Sequence, residues 1–380
     1  MKITFIINGY SSNKEGTSGG ETRNVAFINH IDKQKHDISI CCPQKYHVVK
    51  QIKDIELLTY PSLPFEEKTY ENLPLLFFVY CYRIIISVFK IRRIKSDVII
   101  SSSHLFHDVI PLLFLGNKNL TCVTYIHHII SEQQRKGVSS LITNFLEKIS
   151  FYVIRKINSI VFTDSEVNKM SLIRKYNFKE KYVHVIKNGI NLGFINSVGI
   201  TKNPVYDICF CGRLNKTKGI FDLVNIVKKV KKDYPDISCG MIGQGKERNN
   251  LEKIIKDNNL EDNVQLLGFL GEKEKIKTMK SSKIFVLPSH EEGWGIVIGE
   301  AMACEIPVVV YKLKDIVGIW EDNVIWVECF DLNKFSDAII ELLEDENKRN
   351  VFIQRGQKFS KTIDWDDILE NELNIIVNSR

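Results

Sequence analysis

The feature that most constrains this chain is a regular alternation of short apolar runs with segments of helical periodicity. The runs are rich in β-branched residues and nearly continuous, which is typical of parallel strands buried on both faces. Alternation of such strands with helices predicts an α/β architecture with doubly wound parallel sheets. The predicted strands are, in the first half, KITFIIN, HDISICCP, SDVIISSS, LTCVTYIHH, SIVFTDS and YVHVIKNG, and in the second half YDICFCG, SCGMIGQG, VQLLGF, SKIFVLPS, IPVVVY and NVIWVE.

Two such sets in one chain of 380 residues indicate two Rossmann-like domains, because one core of this size is uncommon. The stretch NGINLGFINSVGITKNP is rich in Gly and Asn and ends in Pro, which is typical of a boundary. We predict domains at 1–200 and 201–362, followed by a C-terminal helix at 363–380. Ligands of doubly wound domains bind at the carboxyl ends of strands, so the expected site is the cleft between the domains.

Bulk composition excludes several classes of protein. The net charge of +6 is mildly basic, far from the pattern of a nucleic-acid-binding protein. The nine cysteines form no C-x-x-C pair, so we expect buried free thiols and no metal centre. The D-x-D at Asp364–Asp366 follows no strand, and Asp364 is better interpreted as a helix N-cap than as a metal ligand. The opening MKITFIINGY is interpreted as a first strand, not a signal peptide.

The longest apolar segment, Leu73 to Lys95, is interrupted by Arg83 before it could span a bilayer. We favour a helix packed on a sheet. The second interpretation is a peripheral contact with an anionic membrane, in which Lys90, Arg92 and Arg93 lie near lipid headgroups together with Lys95.

Candidate binding residues follow the strand SKIFVLPS, in HEEGWGIVIGEAMA. Gly293 and Gly295 allow the backbone to approach a ligand, and the N–H groups of the helix that opens near Val297 suit a diphosphate. Glu292 and Glu300 would then accept hydrogen bonds from hydroxyl groups on either side of it, which is the layout of a nucleotide sugar. The competing interpretation is a solvated loop charge at Glu292 and a helix-dipole partner at Glu300.

Other strand ends carry weaker signals. Arg213 and Lys218 flank the turn after YDICFCG and could neutralise a diphosphate, although each alone could be a surface cation. Gly20 lies in a glycine turn after the first strand, where a plain loop is the default. His127 and His128 end LTCVTYIHH and could contact a substrate, or be structural. The segment MIGQGKE has Arg248 where a dinucleotide fingerprint needs glycine, which disfavours NAD binding.

Taken together, EGWGIVIGEAMACEIPVVV, FCGRLNKTKGIFDLV, SGGETRNV, VTYIHH, FTDSE, VIKNGIN and IGQGKE resemble glycosyltransferase family 4. The first of these is similar to its E-x7-E signature and the second to its "G-R-L-x-x-x-K-G" segment. The resemblance covers nearly the whole chain. It implies a GT-B fold, in which two Rossmann-like domains face a cleft, with glycosyl transfer that retains configuration and no metal cofactor. It also implies that the C-terminal helix crosses back to the N-terminal domain.

The resemblance also implies roles for individual residues. Arg213 and Lys218, with Gly20, would bind the donor diphosphate, and Glu300 would hold the ribose. Glu292 would contact sugar hydroxyls, and His127 would lie beside the donor sugar, with His128 as the alternative. The backbone would contact sugar and phosphates at Gly293, Trp294, Gly295 and Ile296. One departure is Glu305, which replaces a glycine usual in the family, so that turn is expected to be built differently.

As substrates, the resemblance favours a UDP-sugar donor and a glycan or lipid-linked acceptor in surface polysaccharide or glycolipid synthesis. The expected location is the cytoplasm, including the inner face of the membrane, with no nucleic-acid partner. The alternatives are a non-catalytic transferase-like subunit and a GT-B nucleotide-sugar epimerase. A pyridoxal-dependent phosphorylase and a Rossmann oxidoreductase are less favoured.

Overall fold

The computed structural model describes residues 1–9, 19–46, 52, 55–63, 66, 72–115, 120–127, 129–130, 138–199 and 205–379. The chain divides into two compact units. The first contains the described residues up to Lys187 and the chain from Ile368 onward, and the second contains Asn188–Asp367.

The first unit is built on a parallel sheet. Among its described residues, the strands are β1 Lys2–Ile6, β2 Asp37–Pro43, β3 Glu56–Tyr60, β4 Val98–Ser101, β5 Thr121–Ile126, β6 Ile160–Thr163 and β7 Val183–Val185. They pair in the order β3-β2-β1-β4-β5-β6-β7. The helices are α1 Gly19–His30, α2 Leu73–Ile91, α3 Phe106–Val109, α4 Val138–Lys156 and α5 Glu166–Arg174, with 3₁₀ turns at Ile110–Phe114 and Glu180–Tyr182.

The second unit repeats this plan. Its strands are β8 Tyr206–Cys211, β9 Cys239–Ile242, β10 Val264–Gly268, β11 Ser282–Leu287, β12 Val308–Tyr311 and β13 Ile325–Val327, in the parallel order β10-β9-β8-β11-β12-β13. Its helices are α6 Leu192–Ser197, α7 Ile220–Val230, α8 Arg248–Asp257, α9 Glu272–Lys280, α10 Ile296–Ala303, α11 Lys314–Trp320, α12 Leu332–Glu344 and α13 Glu346–Ser360, with 3₁₀ turns at Lys216–Lys218, Glu321–Asn323 and Lys361–Ile363. The last helix, α14 Trp365–Asn378, begins here and continues into the first unit.

The prediction of two doubly wound parallel sheets is confirmed, and each predicted strand is present. The structure adds β3, which the sequence analysis missed. Among the described strands, β3 pairs only with β2, at the edge of the sheet. Its sequence ELLTY is half-exposed and shows neither a clear alternation of apolar and polar residues nor the apolar run of a central strand. In each sheet the strand order reverses once, between β1 and β4 and between β8 and β11. Ligands of open α/β sheets bind at such reversal points.

The compact units divide at Asn188, whereas the sequence analysis placed the boundary at 200. The Gly- and Asn-rich stretch is hydrogen-bonded into the second unit and is not an open linker. The N–H of Ile190 donates to Ile363 O at 2.9 Å, and the N–H of Trp365 donates to Ile190 O at 3.0 Å. Asp364 directly precedes α14, and its carboxylate accepts from the N–H of Asp366 at 3.4 Å.

Helix α2 is long and apolar enough to cross a membrane by length and composition, and 28% of its apolar window Pro74–Ile91 is buried. It packs on the first unit through a stripe that includes Arg83 and Ser87, which are both buried. The favoured interpretation of a packed helix therefore holds for one side of α2, where Val79, Val88 and Ile91 are buried as well. Much of the apolar surface of α2 faces outward.

Candidate functional site

The turn after β8 places Lys218 beside the end of β11. Asn215 caps the 3₁₀ turn, because its side chain accepts from the N–H of Lys218 at 3.1 Å. Gly219 follows with φ of +64°, and a Cβ at this position would come within 1.7 Å of Pro288 O. Only glycine fits such a left-handed position against a backbone carbonyl. The close approach brings the end of the turn against the loop that follows β11.

The loop after β11 presents Glu292 to that lysine. The Nζ of Lys218 lies 2.5 Å from Glu292 Oε1, and both side chains are largely buried. The hydroxyl of Ser289 donates to the same oxygen at 2.9 Å. Arg213, at the start of the preceding turn, is exposed. The structure therefore brings Lys218 and Glu292 together, at the reversal point between β8 and β11.

A second set of contacts ties these two loops to each other. The N–H of His290 donates to Thr217 O at 2.8 Å. The Nε2 of His290 lies 2.9 Å from Asp222 Oδ2, which also accepts from the hydroxyl of Tyr311 at 3.0 Å. These contacts hold the turn carrying Lys218 and the loop carrying Glu292 in one arrangement.

The segment from Gly293 to Ile296 leads into α10. Gly295 is the N-cap with φ of +76°, and the helix begins at Ile296. Trp294 is buried against Trp320, with ring centroids 4.4 Å apart, and its carbonyl accepts from Trp320 Nε1 at 2.9 Å. The Trp294 side chain therefore anchors the loop, and its carbonyl is already engaged by Trp320.

Glu300 lies in the second turn of α10, beyond the first-turn position where a helix-dipole role is expected. It pairs with Lys275 of α9, whose Nζ is 2.9 Å from the Glu300 carboxylate and 2.9 Å from Glu272. Burial raises the pKa of Glu300, and the Lys275 cation opposes that shift. Burial alone would lower the pKa of Lys275, but Glu300 and Glu272 more than offset it, so the pKa of Lys275 is raised.

In the first unit, His127 follows β5 and is held by Asp164, which follows β6. Its Nδ1 lies 3.1 Å from both oxygens of the Asp164 carboxylate. Its carbonyl accepts from Asn168 Nδ2 at 3.2 Å, and its ring stacks on Tyr125 at 5.9 Å. A carboxylate only accepts, so Nδ1 carries the hydrogen of this bond. Nε2 is buried and makes no hydrogen bond to the residues that the structure describes.

Gly20, the second residue of α1, lies against this histidine. A Cβ at Gly20 would come within 3.2 Å of His127 Cδ2 and 3.3 Å of Nε2. Space for the imidazole is therefore a physical reason for glycine at this position. His128, the alternative to His127, lies outside the described residues.

Two residues of this arrangement were missed by the sequence analysis. Asp164 could have been predicted. Strands β5 and β6 are adjacent and parallel, with Ile126 opposite Thr163, so the next residues, His127 and Asp164, lie side by side at the same edge of the sheet. Lys275 carried no such signal, because the α9 sequence EKEKIKTMK contains several lysines and nothing distinguishes the one that turns inward.

Comparisons with known proteins agree with the fold and show the class of enzyme. The family model described as Glycosyltransferase Family 4 matches residues 17–194, and the model described as Glycosyl transferases group 1 matches residues 197–359. The solved structure of HepE from Anabaena superposes with a TM-score of 0.76 at 17% identity, covering 100% of both chains. The chain is a GT-B glycosyltransferase.

Curated relatives of this glycosyltransferase carry the same description. An uncharacterized glycosyltransferase of Methanocaldococcus jannaschii, MJ1178, is 28% identical over 340 residues, which cover 84% of this chain and 89% of the relative. A Campylobacter jejuni enzyme named N-acetylgalactosamine-N,N'-diacetylbacillosaminyl-diphospho-undecaprenol 4-alpha-N-acetylgalactosaminyltransferase is 24% identical over 258 residues, 66% of this chain and 69% of the relative. The S. aureus structure of TarM superposes with a TM-score of 0.75 at 16% identity, covering 99% of both chains.

Proposed function

We propose that this glycosyltransferase moves a sugar, with retention of configuration, from a UDP-sugar to a hydroxyl of a glycan or lipid-linked acceptor. The observation that carries the proposal is the pairing of Lys218 with Glu292 at the reversal point between β8 and β11. A cation for phosphate and a carboxylate for hydroxyls are set side by side there. Glu300 supplies a second carboxylate in the same unit.

In the proposed complex the partners of these groups change. The donor diphosphate takes the place of Glu292 as the partner of Lys218, with Arg213 as the second cation. Glu292, still held by the Ser289 hydroxyl, then accepts from sugar hydroxyls. Glu300 accepts from the ribose, and the backbone of Gly293, Gly295 and Ile296 contributes N–H groups at the start of α10.

The proposed reaction needs no metal ion or other cofactor, because fixed cations neutralise the leaving group. The bond between the anomeric carbon and the diphosphate oxygen breaks, and the electron pair leaves with UDP. The acceptor oxygen bonds to the same face of the anomeric carbon, and its proton passes to the departing phosphate. His127, which Asp164 holds in one orientation, is proposed as a contact to the reacting sugar.

Relatives support the choice of substrates. HepE is described as in complex with UDP and glucose, and with UDP-glucose. The Campylobacter jejuni relative is named for transfer to a diphospho-undecaprenol-linked sugar, and CapM of Staphylococcus aureus is named for capsular polysaccharide biosynthesis. These names support a role in surface polysaccharide or glycolipid synthesis. We further propose that the protein acts in the cytoplasm or at the inner face of the membrane.

A thermal-shift series with UDP-, GDP-, ADP- and dTDP-sugars in EDTA tests the donor. A nucleotide that binds only the folded state raises the melting temperature. We expect a shift with UDP-sugars that persists in EDTA. A rise in melting temperature that requires an added divalent metal contradicts the metal-free proposal. A rise seen only with sugars of GDP, ADP or dTDP shows that the donor carries that nucleotide and not UDP.

Matched variants test the site. Lys218→Ala should lower kcat/KM by roughly 100-fold or more, because it removes a charge that stabilises the leaving diphosphate. Glu292→Ala should also abolish most turnover. Lys216→Ala, an exposed lysine of the same 3₁₀ turn, is the control and should keep wild-type activity. Wild-type activity in Lys218→Ala contradicts the assignment. Conversion of the donor into an isomeric nucleotide sugar by the wild type, without acceptor and without release of UDP, indicates an epimerase.

A further inference from the structure

Helix α2 buries polar side chains and exposes a stripe of apolar ones, which is the reverse of an ordinary amphipathic helix. Its polar residues Arg83 and Ser87 face the interior and are 3% and 0% exposed. Val79, Val88 and Ile91 are buried beside them, but the other side of the helix carries an exposed apolar stripe. Its members Phe77, Phe78, Ile85 and Phe89 have exposed fractions between 48% and 59%. Soluble helices normally bury such a stripe.

Buried hydrogen bonds hold α2 in this orientation. The Arg83 guanidinium donates to Asn8 O and Gly9 O at 2.8 Å each, and pairs with Glu66 at 2.9 Å. Asn8 Nδ2 donates to the Ser87 hydroxyl at 3.1 Å. Rotation of α2 to bury its phenylalanines would carry Arg83 away from these partners and break a buried ion pair, which is strongly unfavourable. The outward apolar stripe is therefore built into the fold.

Two neighbouring elements continue the apolar surface. In the 3₁₀ turn Ile110–Phe114, Leu113 and Phe114 are exposed, and Arg92 Nε donates to Phe114 O at 2.9 Å. Helix α4 presents a second stripe, with exposed fractions of 70%, 49%, 64% and 56% for Leu141, Ile142, Phe145 and Tyr152.

These elements lie on one side of the sheet. The connections from β3 to β4, β4 to β5 and β5 to β6 all step in the same direction along it. Because crossovers between parallel strands are right-handed, α2, α3 and α4 cover the same face. Helices α2 and α4 both pack against α3 and the 3₁₀ turn between them. We call the exposed apolar side chains of α2, this turn and α4, with the cations beside them, the apolar–basic face.

The charges on this face have one sign. The segment Leu73–Lys95 and the 3₁₀ turn contain no acidic residue. The one acidic residue of Val138–Lys156, Glu147, is buried, where it accepts from the N–H of Ile130 at 2.7 Å and pairs with His104 at 2.9 Å. Exposed or half-exposed cations accompany the apolar stripes at Lys90, Arg92, Arg93, Lys95, Lys148, Arg155 and Lys156.

We propose that the apolar–basic face docks on an anionic lipid bilayer. On these elements, within the part of the chain that the structure describes, the exposed charges beside the aromatic and aliphatic side chains are all cations. That is the composition of helices that lie in the headgroup region of such a surface. Exposed apolar patches on this scale mark interaction sites in general, and the uniform charge favours a negatively charged, fluid partner over a protein surface of mixed charge. The inference goes beyond the proposed transfer reaction and does not depend on it.

Co-sedimentation of the full chain with vesicles tests the proposal. Vesicles of phosphatidylcholine alone are compared with vesicles that also contain phosphatidylglycerol. We expect binding to the anionic vesicles that weakens with added salt. Arg93→Gln should weaken it by about fivefold, the effect of one cation near the surface. Equal binding to both kinds of vesicle, or none to either, overturns the proposal.

A charge introduced into the apolar stripe gives the sharper comparison. Phe145→Glu should reduce binding to anionic vesicles by about tenfold or more, because it adds an anion and removes an exposed ring that docking would bury in the bilayer. Val351→Glu, at an exposed helical position of the second unit, makes a similar apolar-to-anionic change and should bind like the wild type. Equal binding by these two variants contradicts the proposal.

Two further readouts separate the possible failures. Circular dichroism and transfer to a water-soluble acceptor should be unchanged in Phe145→Glu, so a loss of vesicle binding with full activity isolates docking from catalysis. If the wild type ignores vesicles but self-associates on size-exclusion chromatography, and Phe145→Glu abolishes that association, the face is a protein interface and the lipid proposal is overturned.

Discussion

At the scale of single residues, both carboxylates assigned to the donor are paired with a lysine. Glu292 pairs with Lys218, and Glu300 pairs with Lys275. Lys218 precedes Gly219, whose close contact with Pro288 fixes the position of the turn. The first lysine is assigned to the diphosphate and can leave its carboxylate when phosphate arrives. The second has two carboxylate partners, Glu300 and Glu272, and we interpret it as a positioning residue for Glu300.

Replacing Lys275 should change how donor binding depends on pH. Burial raises the pKa of Glu300 and Lys275 lowers it, so Lys275→Met should raise that pKa further. A carboxyl group is ionised above its pKa, and only the ionised form accepts strong hydrogen bonds from ribose hydroxyls. Donor affinity is therefore lost as pH falls, and the loss should begin at a higher pH in Lys275→Met. At such a pH we expect the donor KM to rise about tenfold, with little change in kcat.

The measurement is the donor KM across a pH series. Lys275→Arg should restore most of the wild-type profile, because the cation is retained. Lys273→Met, an exposed lysine of the same helix, is the matched control. Superimposable KM profiles for Lys275→Met and the wild type would show that Lys275 does not tune Glu300.

Glu305 illustrates strain at a single residue. It follows the C-cap of α10 with φ of +63°, so the turn keeps a left-handed conformation without the expected glycine. A non-glycine residue in that region is disfavoured. We expect Glu305→Gly to raise the free energy of unfolding by about 0.5–1 kcal/mol. Relief of the backbone strain stabilises the folded state, and the larger conformational entropy that glycine gives the unfolded chain offsets part of this gain.

All four tryptophans lie in the second unit, so urea unfolding followed by tryptophan fluorescence measures this effect. Glu328→Gly, at a position whose φ is not positive, should instead lower stability slightly. A lower unfolding midpoint for Glu305→Gly would mean that contacts of the glutamate outweigh its strain.

At the scale of elements, the turn from β8 to α7 depends on Gly219. Gly219→Ala would force a Cβ to within 1.7 Å of Pro288 O at a positive φ, and backbone must move to admit it. We expect a loss of about 1–3 kcal/mol in the free energy of unfolding of the second unit. Turnover should fall as well, because Lys218 is displaced from its position beside Glu292.

Gly318→Ala is the matched control for this turn. Gly318 lies inside α11, and a Cβ there meets no atom within 4 Å. The same substitution should therefore leave activity unchanged and raise stability by about 0.5–1 kcal/mol, since alanine favours helix. If Gly219→Ala unfolds at the wild-type urea concentration, the close approach to Pro288 does not constrain the turn.

Strands with a continuous apolar run could be predicted from sequence. An element whose position or orientation depends on contacts with residues distant in the chain could not. The central strands are buried on both faces, so their composition alone identifies them, whereas β3 is half-exposed and does not stand out. In α2 the stripe of Arg83 and Ser87 is visible in the sequence. Its direction depends on Asn8 and Glu66, which are distant in the chain, so the sequence alone does not show that this stripe faces the interior.

The same distinction applies to the candidate site. Lys218 and Glu292 follow strands that flank a reversal point, and that topology predicts their proximity. Lys275 could not be predicted, because its inward orientation depends on the packing of α9 against α10. The compact units divide at Asn188, the first residue of the Gly- and Asn-rich stretch, and the pairing of Ile190 with Asp364 that ties this stretch to the second unit is not visible in composition.

At the scale of the whole molecule, the end of the chain is tied to its beginning. Glu372 of α14 is fully buried and lies 2.5 Å from Arg23 of α1, which is also fully buried. Glu372 further accepts from the hydroxyl of Tyr125, the residue on which His127 stacks. The last helix therefore supports the strand end that carries the proposed reaction residue, although Glu372 itself is far from it in sequence.

Removing this carboxylate should destabilise the first unit. Glu372→Ala leaves the Arg23 guanidinium buried without its anion, and breaking a buried ion pair in this way costs about 3–5 kcal/mol. Urea unfolding followed by circular dichroism should show a large loss of stability. Glu370→Ala, an exposed glutamate two positions earlier on α14, should unfold like the wild type. Glu372→Gln, which keeps a hydrogen-bond acceptor, should fall between them. Equal stability of Glu372→Ala and Glu370→Ala would mean that the C-terminal helix is held by apolar packing alone, and that the buried pair serves only to orient Tyr125.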